Sequence, residues 1–157
     1  MSGITIRPTC RDDKERIVAA FRALHPHSIY LRFFCHKKEL SDAELRHVTE
    51  CDGVSQVALV ATVGSGHAET VVGLGEYARA GATAEIAFAV ADGFQGRGIA
   101  TRLLRRLTAI ARRNGVSQFE ADVLAENTPM LTVFRHSELR VRESRREGVV
   151  HATLSVA

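Results

Sequence analysis

The sequence predicts a single α/β (α+β) domain with a central mixed, mostly antiparallel sheet that is flanked by helices. The segment 84–124 reads as strand, helix and strand, and such a unit places its two strands parallel to each other. The segments 56–63 and 69–80 are joined by a short, turn-rich connection, which is typical of an antiparallel meander. The 157 residues show no break in composition, so one domain is expected over 1–157.

The first elements follow from local patterns near the N-terminus. Residues 3–7 alternate like a short strand, which we expect to stop at Pro8. Apolar residues then recur at helical spacing from about 12 to 24, and Asp12 and Asp13 stand where the helix dipole favours an acidic side chain. This region is predicted to be the first helix.

Two short helices are predicted before the sheet continues. The segment 28–35 is apolar and aromatic, and Ser28 is placed to cap it. Ser41 and Glu44 have the spacing of a capping box, which predicts a helix from Ser41 to about Glu50.

The central strands follow, over 56–63, 69–80 and 84–91. The middle strand contains two glycines, Gly73 and Gly75. Glycine inside a strand indicates a bulge or a close approach of another element to the backbone.

The longest helix comes next, after a break at Asp92-Gly93, and it ends at Asn114-Gly115. Its apolar residues form one stripe, and most of its arginines lie off that stripe. A strand over 117–124 follows, and a helix beginning near Thr128-Pro129 comes after it, with proline tolerated in the first turn. The remaining segments form a closing hairpin, 139–144 and 148–156, whose edge strand offers a surface for a homodimer.

Composition excludes several classes of protein. Hydrophobic residues make up 45% and charged residues 25%, near the averages for globular domains. No apolar run is long enough for a membrane span and the first residues lack the apolar core of a secretory signal, so we expect a cytoplasmic protein. The cysteines, Cys10, Cys35 and Cys51, are odd in number and lack paired spacing, which favours reduced thiols over disulfides or zinc.

The charge pattern favours a small anionic partner. The net charge is +3, but aromatic residues are only 6% and no DNA-binding motif is present, so we expect no nucleic-acid partner. The seven histidines are scattered. They lack the spacing of zinc ligands and have no carboxylate placed to complete a zinc site, so no metal is expected.

The turn into the long helix is the clearest candidate site. It reads Gln95-Gly96-Arg97-Gly98-Ile99-Ala100, and its glycines together with the first helical turn expose backbone N–H groups that suit a phosphate. Arg97 adds a positive charge. A dinucleotide fingerprint would need glycine where Thr101 stands, and no phosphate-loop motif is present. The turn therefore predicts a pyrophosphate cradle outside the common nucleotide folds.

At this turn the chain resembles a family. Gln95-x-x-Gly98-x-Ala100 matches the signature of the GNAT family of N-acetyltransferases, and the segments AEIAFAV (84–90) and VLAENTPM (123–130) are similar to the acetyltransferase domain of bacterial Pat-type protein lysine acetyltransferases. The resemblance implies a GNAT-like fold and acetyl-CoA as the acetyl donor. It also implies a set of cofactor-binding residues: Phe88, Ala89, Val90, Gln95, Gly96, Arg97, Gly98, Ile99, Ala100, Thr101, Asn127 and Met130.

The resemblance further implies Glu85 as the general base that takes the proton from the acceptor amine. Glu85 is the only ionisable residue in 84–91, one strand length from the predicted cradle. A strand glutamate that faces solvent or pairs with an arginine would give the same pattern, and Glu76 on the neighbouring strand is the substitute candidate.

Three positions leave alternatives open. Asn127 matches an asparagine that contacts the pantetheine in the family, but a cap residue would look the same. Met130 packs against either the cofactor arm or the core. Many relatives carry a tyrosine as general acid where this chain has Phe134, so the leaving thiolate must depart unprotonated or be served by water, Tyr30 or Tyr77.

The predicted function is transfer of the acetyl group of acetyl-CoA to a primary amine by direct attack, and the resemblance favours a protein lysine as acceptor. Acetylation of a small amine (a polyamine, aminoglycoside or amino acid) and a non-catalytic acyl-CoA sensor are the alternatives. Relatives shape their acceptor pocket with the segments between the first helix and the sheet. There Tyr30, Phe33 and Phe34 have helical spacing, which we interpret as core packing.

Overall fold

The computed structural model describes residues 3–157, so the first two residues of the predicted domain 1–157 lie outside the described residues. The strands are β1 (Thr5–Pro8), β2 (Gln56–Val63), β3 (Thr70–Ala80), β4 (Thr83–Val90), β5 (Gln118–Leu124), β6 (Arg140–Arg146) and β7 (Val149–Ser155). The α-helices are α1 (Lys14–Arg22), α2 (Pro26–Phe33), α3 (Asp42–Thr49), α4 (Ile99–Arg113) and α5 (Thr128–Arg135).

The strands form one mixed sheet in the order β1-β2-β3-β4-β5-β7-β6. Among the strands of residues 3–157, only β4 and β5 pair in parallel, and the other neighbours are antiparallel. The predicted meander, the parallel strand–helix–strand unit and the closing hairpin are therefore confirmed.

Side-chain caps mark the N-termini of three of these helices, α2, α3 and α5. The capping box of α3 is confirmed, because Ser41 Oγ accepts the Glu44 N–H at 3.1 Å and Glu44 Oε1 accepts the Ser41 N–H at 2.9 Å. The prediction that Ser28 caps α2 is wrong. The helix begins at Pro26, and the side chain of His25 caps it by accepting the N–H of His27 at 3.0 Å.

The first strand and helix differ slightly from their predicted bounds. Pro8 is the last residue of β1, which is tolerated because β1 is an edge strand. Residues 11–13 form a 3₁₀ turn, and α1 then ends at Arg22, so the predicted helix 12–24 is shorter at both ends.

The close approach predicted at the β3 glycines is confirmed. A Cβ atom on Gly73 would lie 2.8 Å from Ile99 Cγ2, and one on Gly75 would lie 3.0 Å from the Phe88 ring and 3.2 Å from Leu103 Cβ. The first turns of α4 therefore pack directly on the backbone of β3. The pairing of β2 with β3 also shifts register between Ala61 and Thr62, opposite this region.

Two apolar layers stabilise the sheet. The larger lies on the face covered by α4 and α5, and the smaller lies on the opposite face, where α1 and α3 cover β2 and β3. Helix α2 belongs to neither, since none of its residues is buried, and it lies across β4 and β5. This placement sets α2 beside the candidate site.

Candidate functional site

The predicted cradle lies between the end of β4 and the start of α4. Gly96 and Gly98 adopt left-handed φ values of 77° and 79°, which favour glycine. Among the described residues 3–157, the backbone N–H groups of residues 96–101 donate to no protein acceptor. The first turn of α4 contains no acidic residue, and its N-cap has no side-chain partner. Such a turn can receive an anionic group.

The side chains of this turn add one positive charge and one internal link. Arg97 is exposed, and its guanidinium carbon lies 5.0 Å from the centre of the Phe94 ring. The side-chain amide of Gln95 donates to the carbonyl of Val90 at 3.3 Å. Gln95 therefore ties the turn to the last residue of β4.

The parallel strands of the site separate soon after they begin to pair. Their pairing covers only residues 83–85 of β4 and 118–120 of β5. Beyond that point, the edge of β4 that faces β5 carries no strand partner within the described chain. A cleft of about 180 Å³ opens there. It is lined by residues of four elements: Leu31, Arg32, Phe34, Glu85, Ile86, Ala87, Phe88, Ala121, Asp122, Val123, Asn127, Met130 and Phe134.

Glu85 lies at the point where β4 and β5 separate. Its side chain is exposed, and it forms no hydrogen bond or ion pair with any other residue of the range 3–157. Solvent and an incoming group can therefore reach its carboxylate from the cleft.

Glu76 lies on the same sheet face but lines a different space. A mostly apolar cavity of about 420 Å³ lies between α1, α2, α3 and the ends of β3 and β4. The carboxylate of Glu76 borders this cavity and is 15% exposed, and its oxygens lie 3.5 Å from Arg32 Nη2 and 3.5 Å from His47 Nε2. Burial, followed by the charge of Glu76, raises the pKa of the Cys51 thiol to about 11, so that thiol stays protonated at neutral pH.

Helix α2 separates the cleft from the cavity, and Arg32 borders both. The interpretation of its aromatic residues as core is wrong. Phe34 is 40% exposed and lines the cleft, Phe33 lines the cavity, and Tyr30 stacks on His36 at 5.4 Å. The helix lies over the gap in the sheet, so its apolar side borders the two spaces instead of a packed layer.

Asp92 connects α2 to the predicted cradle. Its Oδ2 accepts the backbone N–H of His25 at 2.7 Å, and its Oδ1 accepts the hydroxyl of Ser28 at 2.6 Å. The amide of Gln95 reaches the same Oδ1 at 3.5 Å. The sequence showed Asp92 only as part of the break that ends the central strand, and no local signal gives contacts across more than sixty positions of the chain.

The remaining candidates lie around the cleft. Asn127 caps α5, accepting the Met130 N–H at 3.4 Å, and both residues also line the cleft. Phe134 is buried with its ring 6.2 Å from that of Phe88. Tyr77 is excluded as a proton donor here, because it is buried beside Asn114 at the far end of α4.

The predicted cofactor residues fall into three groups. The turn residues 95–101 are contiguous at the N-terminus of α4, and Asn127 and Met130 lie across the cleft from β4. On β4 itself, Phe88 packs in the core and also lines the cleft, whereas Ala89 and Val90 border the cavity. Within residues 3–157, no cluster of His, Cys, Asp or Glu is arranged to hold a metal ion, and no helix is long and apolar enough to cross a membrane.

Comparison with known proteins gives a consistent result. The family model for the GNAT acetyltransferase family matches residues 15–137. The chain is 32% identical to the acetyltransferase Pat of Mycolicibacterium smegmatis over 155 residues, which cover 96% of this chain and 45% of Pat. It therefore spans less than half the length of that relative.

Two solved structures share the fold. The crystal structure of the GNAT domain of S. lividans PAT has a TM-score of 0.86 and 34% identity, covering 96% of this chain and 89% of that one. The acetyltransferase yncA of Salmonella typhimurium, solved with its cofactor acetyl-CoA, has a TM-score of 0.78 and 19% identity, covering 99% of this chain and 95% of that one.

Proposed function

The chain belongs to the GNAT acetyltransferase family, and on that premise we propose that it transfers the acetyl group of acetyl-CoA to the side-chain amine of a protein lysine. The row of unpaired backbone N–H groups over 96–101 is the observation that carries the proposal. It provides the anion-binding element that a coenzyme diphosphate requires, and the fold is shared with a relative solved with acetyl-CoA.

The proposed path of the cofactor starts at the turn over 96–101 and runs into the cleft. The diphosphate binds the N–H groups of residues 96–101, with Arg97 adding charge. The pantetheine arm then lies in the gap between β4 and β5, where it hydrogen-bonds to the unpaired edge of β4 near Phe88–Val90 as an added strand would. Asn127 and Met130 close the other side of the arm.

Glu85 acts as the general base. The neutral amine nitrogen attacks the thioester carbonyl, the new N–C bond forms, and the C–S bond breaks with its electron pair leaving on sulfur. The proton from nitrogen passes to Glu85 directly or through water. A backbone N–H near Val90 stabilises the developing oxyanion. Phe134 cannot donate a proton and Tyr77 is buried at the far end of α4, so the thiolate leaves unprotonated or takes its proton from water or from Tyr30.

A protein lysine is the proposed acceptor because the carboxylate of Glu85 is exposed at an open cleft, which a long side chain on a folded surface can enter. The resemblance of segments 84–90 and 123–130 to Pat-type protein lysine acetyltransferases favours the same choice. The proposed location is the cytoplasm.

One observation favours a second candidate, a small amine with an apolar body. The 420 Å³ cavity is large enough for such a molecule. The carboxylate of Glu76 borders it and is not held by a short contact, since the nitrogens of Arg32 and His47 nearest to it lie at 3.5 Å. In that case Glu76 would hold the ammonium group while the apolar walls accept the rest.

Thiol release from acetyl-CoA, measured with lysine peptides and with a panel of small amines, tests the proposal. Glu85→Gln should lower kcat by about 10²-fold with at least one lysine acceptor and leave the CoA dissociation constant unchanged. Glu138→Gln, an exposed glutamate after α5, is the matched control and should behave like the wild type.

Each alternative has its own result. Activity with small amines alone would favour the second candidate. Tight CoA binding without thiol release from any acceptor would favour a sensor. A Glu85→Gln variant with wild-type kcat would remove Glu85 from the mechanism.

A further inference from the structure

One face of the β5-β7-β6 part of the sheet is polar. The opposite face of these strands packs under α4 and α5, but here every outward residue is at least partly exposed. The side chains of Glu120, His151 and Asp122 are 38%, 43% and 62% exposed. This outward face begins at β4, where Glu85 lies, and ends at the edge strand β6.

The strand register places four side chains in one row across this face. Glu85 pairs with Glu120, Glu120 pairs with Thr153, and Thr153 pairs with Arg142. Paired residues on neighbouring strands point to the same side of a sheet. The predicted general base and an exposed arginine therefore stand at opposite ends of a single row.

Charge is segregated along the row. Carboxylates lie next to Glu85, on Glu120 and Asp122, and His151 binds both, at 3.3 Å and 2.8 Å. The far edge is basic: on β6, Arg142 has exposed neighbours of the same charge on the same face, at positions 140 and 146. Within the described chain, these three arginines form no ion pair.

The length of the row can be compared with an extended peptide. Three strand spacings separate Glu85 from Arg142, and at about 4.8 Å each they span roughly 14 Å. An extended chain advances about 3.4 Å per residue, so about four residues cover the same distance. A lysine at Glu85 would then place a residue about four positions away over Arg142.

We propose that this outward face is the docking surface for an extended segment of the acceptor protein that carries a carboxylate about four residues from its acceptor lysine. The inference rests on the proposed lysine acceptor. The carboxylates beside Glu85 attract the lysine ammonium before it is deprotonated, and Arg142 binds the acidic residue. Complementary charge sets orientation and encounter rate more than affinity.

The arginines have a simpler explanation in the protection of an edge strand from pairing with other chains, which charged side chains provide. A side chain of either charge can protect the edge strand, whereas docking requires a positive charge at position 142. Reversing one charge therefore separates the two explanations.

The experiment compares acceptor peptides that share one lysine and carry Glu, Ala or Arg four residues before or after it. Wild-type kcat/KM should be about fivefold higher for one Glu peptide than for its Arg counterpart at low salt, and the preference should vanish in high salt, as for exposed charge pairs. Arg142→Glu should reverse the preference in favour of the Arg peptide. Arg106→Glu, an exposed α4 residue away from this face, is the matched control and should keep the wild-type preference.

The docking surface is supported if Arg142→Glu reverses the peptide preference and Arg106→Glu does not. The docking surface would be overturned if all peptides were acetylated equally, whatever residue stands at the fourth position, or if Arg142→Glu left the preference intact. Either result would leave the proposal of a lysine acceptor in place. Acetylation of small amines without any peptide would overturn both. Sedimentation of the wild type and Arg142→Glu identifies the other occupant: a dimer that the substitution dissociates would assign the face to a second copy of this chain.

Discussion

The two sides of strand β4 offer different kinds of candidate recognition groups. On the cofactor side, the candidate groups are backbone N–H groups of residues 96–101 and the unpaired edge of β4. On the acceptor side, they are side chains of α2 and of three strands, among them Arg32, Glu76 and Glu85. Backbone recognition tolerates many side chains and needs a particular conformation, whereas side-chain recognition can change from one relative to the next.

This difference implies that substitutions should separate the two sides. Changes that alter backbone conformation or the position of α4 should weaken CoA binding, and changes at α2 or on the outward sheet face should alter acceptor use with CoA binding unchanged. The variants below test that separation.

Gly73→Ala should give the largest effect, because the added Cβ would lie 2.8 Å from Ile99 Cγ2, a stiff branched carbon that is 1% exposed. We expect a loss of about 2 kcal/mol in the free energy of unfolding, typical of overpacking. Since Ile99 begins α4, the first helical turn must shift, so CoA affinity should fall as well. Urea unfolding and calorimetric titration with CoA measure both.

The double variant Gly73→Ala with Ile99→Ala isolates the cause. Removing the branched side chain makes room for the new methyl group, so the double variant should lose less stability than the sum of the two single changes. Additive losses would show that the contact with Ile99 is not responsible.

Gly98→Ala should weaken CoA binding about tenfold with a smaller loss of stability. Gly98 has φ 79°, where a Cβ costs roughly 1 to 2 kcal/mol, and the methyl group would project beside the N–H groups of the turn. Gly115→Ala is the matched control, since Gly115 has φ 81° and equally open surroundings at the other end of α4. Both should lose similar stability, and equal CoA affinities for the two variants would contradict the cradle.

The backbone conformation on the proposed cofactor side was largely predictable from sequence because its determinants are local. The glycines at 96 and 98, the apolar stripe of α4 and the alternation of β4 each specify a conformation within a few residues. The capping box at Ser41 followed from an equally short-range rule, and the parallel pairing of β4 with β5 followed from the order strand, helix, strand.

The acceptor side was poorly predictable because long-range contacts determine it. The helical spacing of Tyr30, Phe33 and Phe34 suits a packed layer or a cavity wall, and only the position of α2 over the gap in the sheet decides between them. The role of Asp92 depends on partners in α2 and its cap, which no local pattern connects to it.

Asp92→Asn should raise the KM of the acceptor about fivefold, with kcat and CoA affinity within twofold of wild type. Helix α2 has no buried residue and no acidic residue in its first turn. The hydrogen bonds to the carboxylate of Asp92 therefore supply much of the interaction that holds the N-terminus of α2 in place. Asparagine keeps one acceptor oxygen but loses the charge, at about 1 kcal/mol. Steady-state kinetics with varied acceptor, and titration with CoA, separate the effects.

Asp52→Asn is the matched control for that prediction. Asp52 also accepts backbone N–H groups, from Val54 and Ser55 at 2.9 Å and 2.8 Å, but its loop contacts Asn114 at the far end of α4. It should leave acceptor KM unchanged. An equal rise in KM for both variants would mean that general destabilisation, and not the position of α2, is the cause.

The smallest expected effect is the pH dependence of stability from His151 on the outward face. Hydrogen bonds to Asp122, then to Glu120, raise the pKa of His151 above its usual 6.5 in the folded protein. A raised pKa means that the folded state binds the proton more tightly, so this stabilisation is complete below pH 6.5 and is lost as pH rises through the folded-state pKa. The free energy of unfolding of the wild type should therefore exceed that of His151→Gln by about a few tenths of a kcal/mol near pH 6, as for exposed ion pairs. The difference should be smaller near pH 8. Urea unfolding at both pH values measures the difference, and an advantage that grows towards pH 8 would contradict the pairing.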